Sequence, residues 1–365
     1  MAVRVRWSVG EIKVRQWSPD GGTIPPVYSG LTRWIVKPIR ILAKTLCFVL
    51  MALVMTATAR ADWYRFSDSA MTTPVTLEIW ADSQPQAESL WQSVFAEFTK
   101  VDKVMSRYRE ESELSRVNRE AGDGPVSVSE ALFTVLVKAR EISELSNGAF
   151  DISFASVGYL YDFREERQPD DEAVRAGLAR INFRDILLDE SALTVAFRQP
   201  GLLLDLGGIA KGYAVDQGMR VLTEAGVMHA RLSAGGDMRL LGDRRGRPWM
   251  VGVRDPRKQG RQAVVIPLSD TAISTSGDYE RFFIDDEGQR VHHILSPATG
   301  RPAGEVQSVT IVGDDAMTTD ALSTAVFVLG AREGLALIND LEGIDAVIID
   351  EHRRMHYSDG LMSGE

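Results

Sequence analysis

Helical and strand-like patterns follow one another along this chain, but they do not alternate strictly. Apolar residues recur at helical spacing over 85–105, 129–146 and 209–225. Strand-like runs come several at a time with no helix between them, at 229–234, 238–242, 248–254, 262–268 and 271–275. Strict alternation of strands and helices is typical of a parallel α/β fold. This pattern instead predicts an α+β fold, with mixed or antiparallel sheets and packed helices.

Length and charge narrow the class of protein. The 365 residues are 44% hydrophobic and 25% charged, which is a globular composition and excludes disorder for most of the chain. The net charge is −10, so non-specific nucleic-acid binding is not expected. Residues 1–61 hold nine Lys or Arg and two acids, a net of +7, so residues 62–365 carry −17. The first segment is therefore foreign in composition to the rest.

That first segment has the features of a signal peptide. Basic residues precede an apolar stretch at 45–55, and the small residues Ala59 and Ala61 follow it. The stretch is too short for an ordinary membrane span. We therefore predict an N-terminal extension and signal peptide at 1–61, cleaved after Ala61, and one domain at 62–365 in the periplasm. The alternative is an uncleaved N-terminal anchor that tethers the protein to the membrane.

Cysteine usage excludes several chemistries. The single cysteine, Cys47, lies inside the apolar stretch, so residues 62–365 contain none. Disulfides, thiol catalysis and cysteine-ligated metals are excluded there. P-loop NTPase, zincin and α/β-hydrolase motifs do not occur either.

A glycine-rich segment runs from Asp205 to Asp216, in the order Asp-Leu-Gly-Gly-Ile-Ala-Lys-Gly-Tyr-Ala-Val-Asp. We expect a strand at 201–206 before it and the helix at 209–225 after it. Free backbone N–H groups at a helix start suit an anionic ligand, and glycine allows close approach. Lys211 could add a positive charge, and Asp205 could accept a hydrogen bond from a ribose or base. A tight turn without a ligand is the alternative.

Two polar turns follow that segment. Gly235-Gly236-Asp237 ends a strand-like run, and a β-turn with Asp as the turn former is the favoured interpretation. The segment 274–279 is rich in small hydroxyl residues around Gly277 and could line a phosphate or a sugar, although a solvated turn is equally expected.

Two further motifs could carry chemistry. His292 and His293 stand at the entrance of a loop made rigid by Pro and Gly, and a histidine is the natural general base near neutral pH. Adjacent strand residues face opposite ways, and a lone histidine is more often structural. Asp320 and Thr324 are four residues apart, so they share one face of the helix expected at about 319–329. Their oxygens suit Mg²⁺, which takes few protein ligands; an acidic residue that favours a helix start is the alternative.

These segments, in this order, resemble the ApbE family of FAD:protein FMN transferases. The resemblance runs from about Met71 to about Gly330 and includes three more segments: Ser106-Arg-Tyr108, Ser112 to Asn118, and Gly148-Ala-Phe-Asp151. Each segment alone is a weak signal, whereas the ordered set is specific. The resemblance implies the family's T-fold-related α+β architecture.

It also implies a Mg²⁺-dependent exported enzyme that cleaves FAD, links FMN through its phosphate to a Thr or Ser of a target protein, and releases AMP. His293 would deprotonate the acceptor hydroxyl. Asp320, Thr324 and the backbone carbonyl of Gly208 would hold the metal. The residues implied to contact FAD are Met71, Tyr108, Ala149, Phe150, Asp151, Asp205, Lys211 and Leu295. The implied acceptor is a membrane electron-transfer subunit or an exported flavin carrier.

Two positions depart from the family pattern. Ser296 and Ser323 stand where Asp is common. A carboxylate that orients the histidine or the metal could therefore be missing. Two alternatives stay open: a hydrolase that splits FAD to FMN and AMP with water as the acceptor, and a non-catalytic flavin-binding protein.

Overall fold

The computed structural model describes residues 61–363. The predicted signal peptide lies outside these residues, apart from its last position. An eight-stranded sheet organises the described residues, in the order β1-β2-β6-β7-β10-β13-β14-β15. Every neighbouring pair in it is antiparallel. The predicted α+β class with antiparallel sheets and packed helices is confirmed.

The strands have the following bounds: β1 (Asp62–Ala70), β2 (Thr73–Ala81), β3 (Val126–Ser127), β4 (Ile186–Asp189), β5 (Thr194–Phe197), β6 (Ala230–Ala234), β7 (Asp237–Leu241), β8 (Trp249–Arg254), β9 (Gln262–Leu268), β10 (Ala272–Gly277), β11 (Phe282–Ile284), β12 (Arg290–His292), β13 (Val306–Gly313), β14 (Asp345–Asp350) and β15 (Met355–Tyr357). Three smaller sheets, β3-β5-β4, β8-β9 and β11-β12, accompany the main one.

The helices have the following bounds: α1 (Gln84–Met105), α2 (Glu113–Glu120), α3 (Glu130–Leu145), α4 (Ala155–Gly158), α5 (Asp171–Leu178), α6 (Ala210–Glu224), α7 (Ala316–Asn339) and α8 (Asp359–Ser363). Short 3₁₀ turns lie at Ile152–Phe154 and Phe183–Asp185. Helices α1, α2 and α3 begin at serine caps, Ser83, Ser112 and Ser129, whose hydroxyls accept from backbone N–H groups of the first turn.

The main sheet is covered on both faces. Helices α1, α6 and α7 pack on one face and on one another, where Val309 and Ile311 of β13 enter the large core. The hairpin β8–β9 covers the other face, where Trp249 and Val251 pack against Ile273 and Val312. All eight residues of β13 are buried for this reason, because a strand covered on both faces presents every side chain to a core.

Helix α7 is the one described helix with the length and hydropathy of a membrane span. It is broken at Gly330, whose φ of 78° and ψ of 178° are not helical. Neither part reaches the ~20 residues that a span requires. Its first part packs against β10, β13 and α6, which places Asp320 and Thr324 inside the protein.

The prediction of a strand at 201–206 is wrong. The segment is extended, but it joins no sheet. Side chains bind its backbone instead: the Asn118 amide pairs with both the N–H and the carbonyl of Leu204, and the Ser156 hydroxyl accepts from Leu203. Leu202 and Leu204 are fully buried. Apolar patterning correctly indicated burial, but side-chain amides and hydroxyls replace the strand partner.

Candidate active site

Several strand ends meet at one end of the main sheet. Strands β1 and β2 are joined at Met71 and Thr72, and β6 and β7 at Gly235 and Gly236. The two turns touch, because Gly235 N–H donates to the Pro74 carbonyl at 3.0 Å. A Cβ on Gly235 would lie 2.6 Å from the Thr73 hydroxyl oxygen. The glycine pair is therefore required for this close approach, and Asp237 begins β7 directly after it.

A buried charge cluster lies beside these turns. Lys211, in the first turn of α6, places Nζ 2.6 Å from Asp237 Oδ2 and 3.3 Å from both carboxylate oxygens of Asp320. The N–H of Gly212 donates to Asp320 Oδ2 at 3.0 Å. Each carboxylate residue is only 2% exposed. The ion pair with Asp237 is the short one, and the contacts to Asp320 are longer than the usual charge-assisted bond of about 2.8 Å.

Burial and mutual charges shift the pKa values of the residues in this cluster. Burial lowers the pKa of Lys211, but Asp237 and Asp320 together outweigh that effect and raise the pKa above its ordinary value. Burial and the nearby Asp237 raise the pKa of Asp320, and Lys211 opposes them. Two carboxylates and one ammonium leave the cluster one negative charge in excess when both acids are ionised. An additional cation is therefore favoured near Asp320.

Thr324 lies one turn after Asp320 on α7 and faces Gly208. A Cβ on Gly208 would lie 3.1 Å from Thr324 Oγ1 and 3.4 Å from a ring carbon of Phe150. The Thr324 hydroxyl has one long hydrogen bond, 3.3 Å to Ser276 Oγ. The structure thus brings Gly208, Thr324 and Phe150 together, and a Cβ at position 208 would require the Thr324 side chain to move slightly.

The donors present fit a hard cation. Among residues 61–363, Asp320 Oδ1 has only the 3.3 Å contact to Lys211, and Thr324 Oγ1 has only Ser276, so both oxygens keep free lone pairs on one helix face. No group of three or more His, Cys, Asp or Glu side chains within residues 61–363 is arranged to hold a metal. One carboxylate and one hydroxyl suit Mg²⁺, which fills its shell with water and phosphate oxygens.

The two adjacent histidines have different surroundings. His292 is buried, with Nε2 2.8 Å from the Ala303 carbonyl and Nδ1 accepting from Ile294 N–H. His293 places Nδ1 3.3 Å from the Arg281 carbonyl. That carbonyl can only accept, so Nδ1 carries the proton and Nε2 has a free lone pair. Within the described part of the chain, Nε2 of His293 has no hydrogen-bond partner.

A lowered pKa keeps the His293 ring neutral. Burial lowers it, and the charges of Arg281 and Lys211 lower it further, to about 3. The ring is therefore neutral at pH 7, with Nε2 able to take a proton. Both ring nitrogens of His292 are already hydrogen-bonded within the chain, so this histidine has a structural role.

An arginine–aromatic group forms an exposed part of the site. Arg107 donates to Asp205 Oδ2 at 3.1 Å, and its guanidinium lies 3.9 Å from the ring centroid of Tyr159 and 4.8 Å from that of Tyr108. Tyr108 is 66% exposed. An exposed ring beside a fixed guanidinium offers a stacking surface for a planar ligand.

The other residues that the resemblance implies to contact FAD make contacts that support the fold. Both carboxylate oxygens of Asp151 accept from within the chain, from Ser153 and from Phe183 N–H. Burial raises the pKa of Asp151. The Leu295 side chain packs in a second apolar cluster with Val157 and Phe283. Met71 stands in the β1–β2 turn at φ 51°, and Ala149 N–H donates to the Ser146 carbonyl.

Comparison with known proteins identifies the family. The model of the ApbE family matches residues 71–348. The chain belongs to the ApbE family. A protein of Treponema pallidum named FAD:protein FMN transferase is 35% identical over 299 residues, covering 76% of this chain and 82% of the relative. One of Klebsiella pneumoniae with the same name is 32% identical, covering 80% and 90%.

Solved structures give the same result. The ApbE protein of Thermotoga maritima has a TM-score of 0.76 and 32% identity, and the flavin transferase ApbE of Vibrio cholerae has 0.75 and 30%. Each comparison covers 83% of this chain and 99% of the solved chain. The ApbE-like architecture expected from the sequence is therefore confirmed.

Ser323 and Ser296 are the two positions at which the sequence departs from the expected family pattern. The Ser323 hydroxyl donates to the Asp320 carbonyl at 2.8 Å and lies 2.7 Å from Ser276 Oγ. Ser323 therefore uses its hydroxyl in these two hydrogen bonds. It does not occupy the free lone pairs of Asp320 and Thr324. Ser296 begins the loop before Pro297, where its carbonyl accepts from Thr299 and Gly300 N–H.

Three residues of the site were not predicted as functional. Asp237 was interpreted as a turn former, yet its carboxylate is the strongest partner of Lys211. Arg107 lies inside the family-like segment Ser106-Arg-Tyr108, in which the resemblance implies only the tyrosine as a flavin contact. The sequence indicates Ser276 only within a hydroxyl-rich segment that could line a phosphate or a sugar, and not as a partner of Thr324. A buried carboxylate opposite a lysine is visible only once the strands are paired, whereas the charge beside Tyr108 was available in the sequence.

Proposed function

We propose that this chain is an FAD:protein FMN transferase that moves FMN from FAD to a Thr or Ser hydroxyl of an acceptor protein and releases AMP. One observation carries the proposal. A neutral histidine, His293, keeps Nε2 free while lying close enough to Lys211 for that charge to lower its pKa. A base beside a cation suits a reaction between a hydroxyl and an anionic phosphate.

The bonds and protons balance as follows. The acceptor hydroxyl oxygen attacks the phosphorus on the FMN side of the diphosphate, and an O–P ester bond forms. The P–O bond to the bridging oxygen breaks, and that oxygen leaves with the electron pair as part of AMP. His293 Nε2 accepts the hydroxyl proton. Lys211 offsets negative charge at the diphosphate, and Arg107 holds Asp205 and Tyr108 for the flavin nucleotide.

Asp320, Thr324 and the Gly208 carbonyl would hold Mg²⁺. When bound, the ion would neutralise charge on the diphosphate as AMP leaves. The support is the pair of under-used oxygens on α7 and the single negative charge in excess at the cluster. Asp237 contributes by forming the short 2.6 Å ion pair with Lys211. Asp320 Oδ1 therefore keeps a free lone pair for the ion.

We further propose that the protein acts after export, in the periplasm. The support is the basic-then-apolar sequence of residues 37–55 followed by Ala59 and Ala61. An exported flavin transferase must meet its acceptor outside the cytoplasm. The acceptor is then a membrane electron-transfer subunit or an exported flavin-carrier domain with an accessible Thr or Ser.

Intact mass spectrometry tests the function. The purified chain is incubated with FAD, Mg²⁺ and a carrier domain that contains the acceptor threonine, with Asp320→Asn as the control. We expect the carrier to gain the mass of FMN less water, with an equal amount of AMP, and the control to give neither. AMP without a mass gain would identify a hydrolase, and bound FAD without AMP would identify a binding protein. A chelator should abolish the gain, and added Mg²⁺ should restore it.

A further inference from the structure

Arg281 is the direct cross-strand neighbour of His293. The hairpin β11–β12 pairs Phe282 with His292 and Phe283 with Val291. The same register continues by one pair, because the N–H of His293 donates to the Arg281 carbonyl at 3.1 Å. Side chains of opposed residues leave the same face of a ladder, with Cβ atoms about 5 Å apart. Arg281 and His293 therefore share a face.

That face is the inner one. Phe283 and Val291 belong to it by alternation and are buried in the second apolar cluster. Phe282 and Ile284 occupy the outer face and are 39% and 51% exposed, whereas His292, which pairs with Phe282 on that face, is buried. Arg281 is nevertheless exposed, so the inner face opens at its position. The charge of Arg281 also reaches His293, whose pKa it lowers.

Arg281 has no ion-pair or side-chain hydrogen-bond partner among residues 61–363. The neighbouring cations differ in this respect. Arg254 pairs with Glu280 at 2.9 Å, and Arg257 pairs with Asp278. Arg290 lies over the Phe282 ring at 3.7 Å and is 3.9 Å from Asp278. An exposed, unpaired guanidinium beside a candidate base is available for an anionic ligand.

We propose that Arg281 binds the diphosphate of FAD and holds the reacting phosphoryl group beside His293. This rests on the proposed function. A base within about 3 Å of the attacking hydroxyl, which itself lies about 3 Å from phosphorus, puts the phosphate oxygens within reach of the base's own neighbour. A guanidinium binds two phosphate oxygens at once, which a lysine cannot do. Lys211 cannot supply this contact fully, since Asp237 and Asp320 hold it.

Ligand affinity tests this assignment without requiring turnover. FAD and riboflavin are titrated against the full chain and against Arg281→Gln and Arg281→Lys, with chelator present. We expect the Gln variant to lose about ten- to hundredfold in FAD affinity and to bind riboflavin, which has no phosphate, as the parent does. The Lys variant should lose less, because it keeps the charge but not the bidentate geometry.

Arg290→Gln is the matched control, because it removes a cation from the same hairpin on its outer face. Its FAD affinity should equal that of the parent. Equal weakening of FAD and riboflavin by Arg281→Gln would mean a structural role and would overturn the assignment. Unchanged FAD affinity with a raised KM for the acceptor protein would also overturn it, and would place the acceptor on Arg281 instead.

The outcome is separable from that of the proposed function. Should the parent bind FAD in an Arg281-dependent manner and still give no flavinylated carrier, the phosphate contact stands and the transferase proposal fails. Should the carrier be flavinylated equally well by the parent and by Arg281→Gln, with equal FAD affinity, the transferase stands and the Arg281 contact fails.

Discussion

The site contains two charged groups that differ in burial. The Lys211–Asp237–Asp320 cluster has both carboxylates almost completely buried, with side-chain exposures of 3% each. The cations of the two groups are equally open, since Lys211 and Arg107 are each 26% exposed, but Asp205 is more open than the buried carboxylates, at 15%, and its neighbour Tyr108 is exposed. Removing one member of a buried set leaves an uncompensated charge, whereas water can replace a partner at the surface. The first group therefore controls stability as well as chemistry, and the second controls ligand affinity.

The largest expected effect is on Lys211. Replacing it with Met leaves Asp237 and Asp320 buried without their cation, so we expect the free energy of unfolding to fall by about 3 kcal/mol or more. Chemical denaturation measures this change. Arg220→Met on the same helix is the control, since Arg220 pairs with Glu224 at the surface and its loss should be barely measurable.

A second substitution sharpens this test. In Lys211→Met combined with Asp237→Asn, the unpaired charge is partly removed, so the double variant should be more stable than Lys211→Met alone. Additive losses would contradict the idea that these side chains form one electrostatic unit.

The difference between the two groups also explains what the sequence could reveal. Local patterns indicate Lys211, Asp205, Asp320 and Thr324, because Lys211 stands at a helix start, Asp205 ends the segment before the two glycines, and Asp320 and Thr324 share one helix face. Asp237 required the pairing of β6 with β7 and the packing of α6 beside them, which place it 2.6 Å from a lysine 26 residues away. A turn-forming residue and a buried ion-pair partner are identical in local sequence.

The same limit applies to the fold. The strand-like runs correctly predicted β6, β7 and β10 of the main sheet and the hairpin β8–β9, but they could not supply the order of the strands. Apolar patterning also predicted a strand at 201–206, where Asn118 and Ser156 occupy the backbone groups instead. The burial of a segment can be predicted from its hydrophobicity alone. Its strand pairing instead depends on which distant groups hydrogen-bond to its backbone.

His292 and His293 repeat the contrast within two adjacent residues. His293→Gln removes a free Nε2, so we expect the rate of FMN transfer to fall about 10²- to 10⁴-fold with little change in stability. His292→Gln disrupts a buried hydrogen bond to Ala303 and should cost about 1–3 kcal/mol of stability instead. AMP release and thermal unfolding are measured on both variants. The distinction between a catalytic and a structural histidine would be contradicted if both variants lost the same amounts of activity and stability.

Arg107 tests the exposed group. Arg107→Met removes the ion pair to Asp205 and the cation over the rings of Tyr159 and Tyr108, so these groups lose their fixed positions. We expect FAD affinity to fall up to about tenfold and the unfolding free energy to change little. Flavin fluorescence titration measures the affinity. Arg109→Met, which removes a surface pair with Asp102, should leave FAD binding unchanged.

The smallest expected effect is a shift in the pH profile. His293 acts as a base only when neutral, and burial, Arg281, His292 and Lys211 all lower its pKa from an ordinary value near 6.5. As pH falls from 8 to 5.5, protonation of His293 should therefore not reduce kcat/KM for FAD. Arg281→Gln removes one of the lowering charges, so the acid limb should move to higher pH, by less than about one unit.

The pH at which kcat/KM falls is taken from the shape of the profile and not from its absolute values. This separates the shift in the pKa of His293 from weaker FAD binding. Arg290→Gln should leave the limb in place, because its guanidinium lies on the outer face of the hairpin over Phe282. The raised pKa of Asp320 could also produce a limb in this range, so only a limb near pH 6.5 that Arg281→Gln shifts would mean that His293 is solvated like an ordinary histidine. The distinction between buried and exposed groups would then fail at the residue on which the chemistry depends.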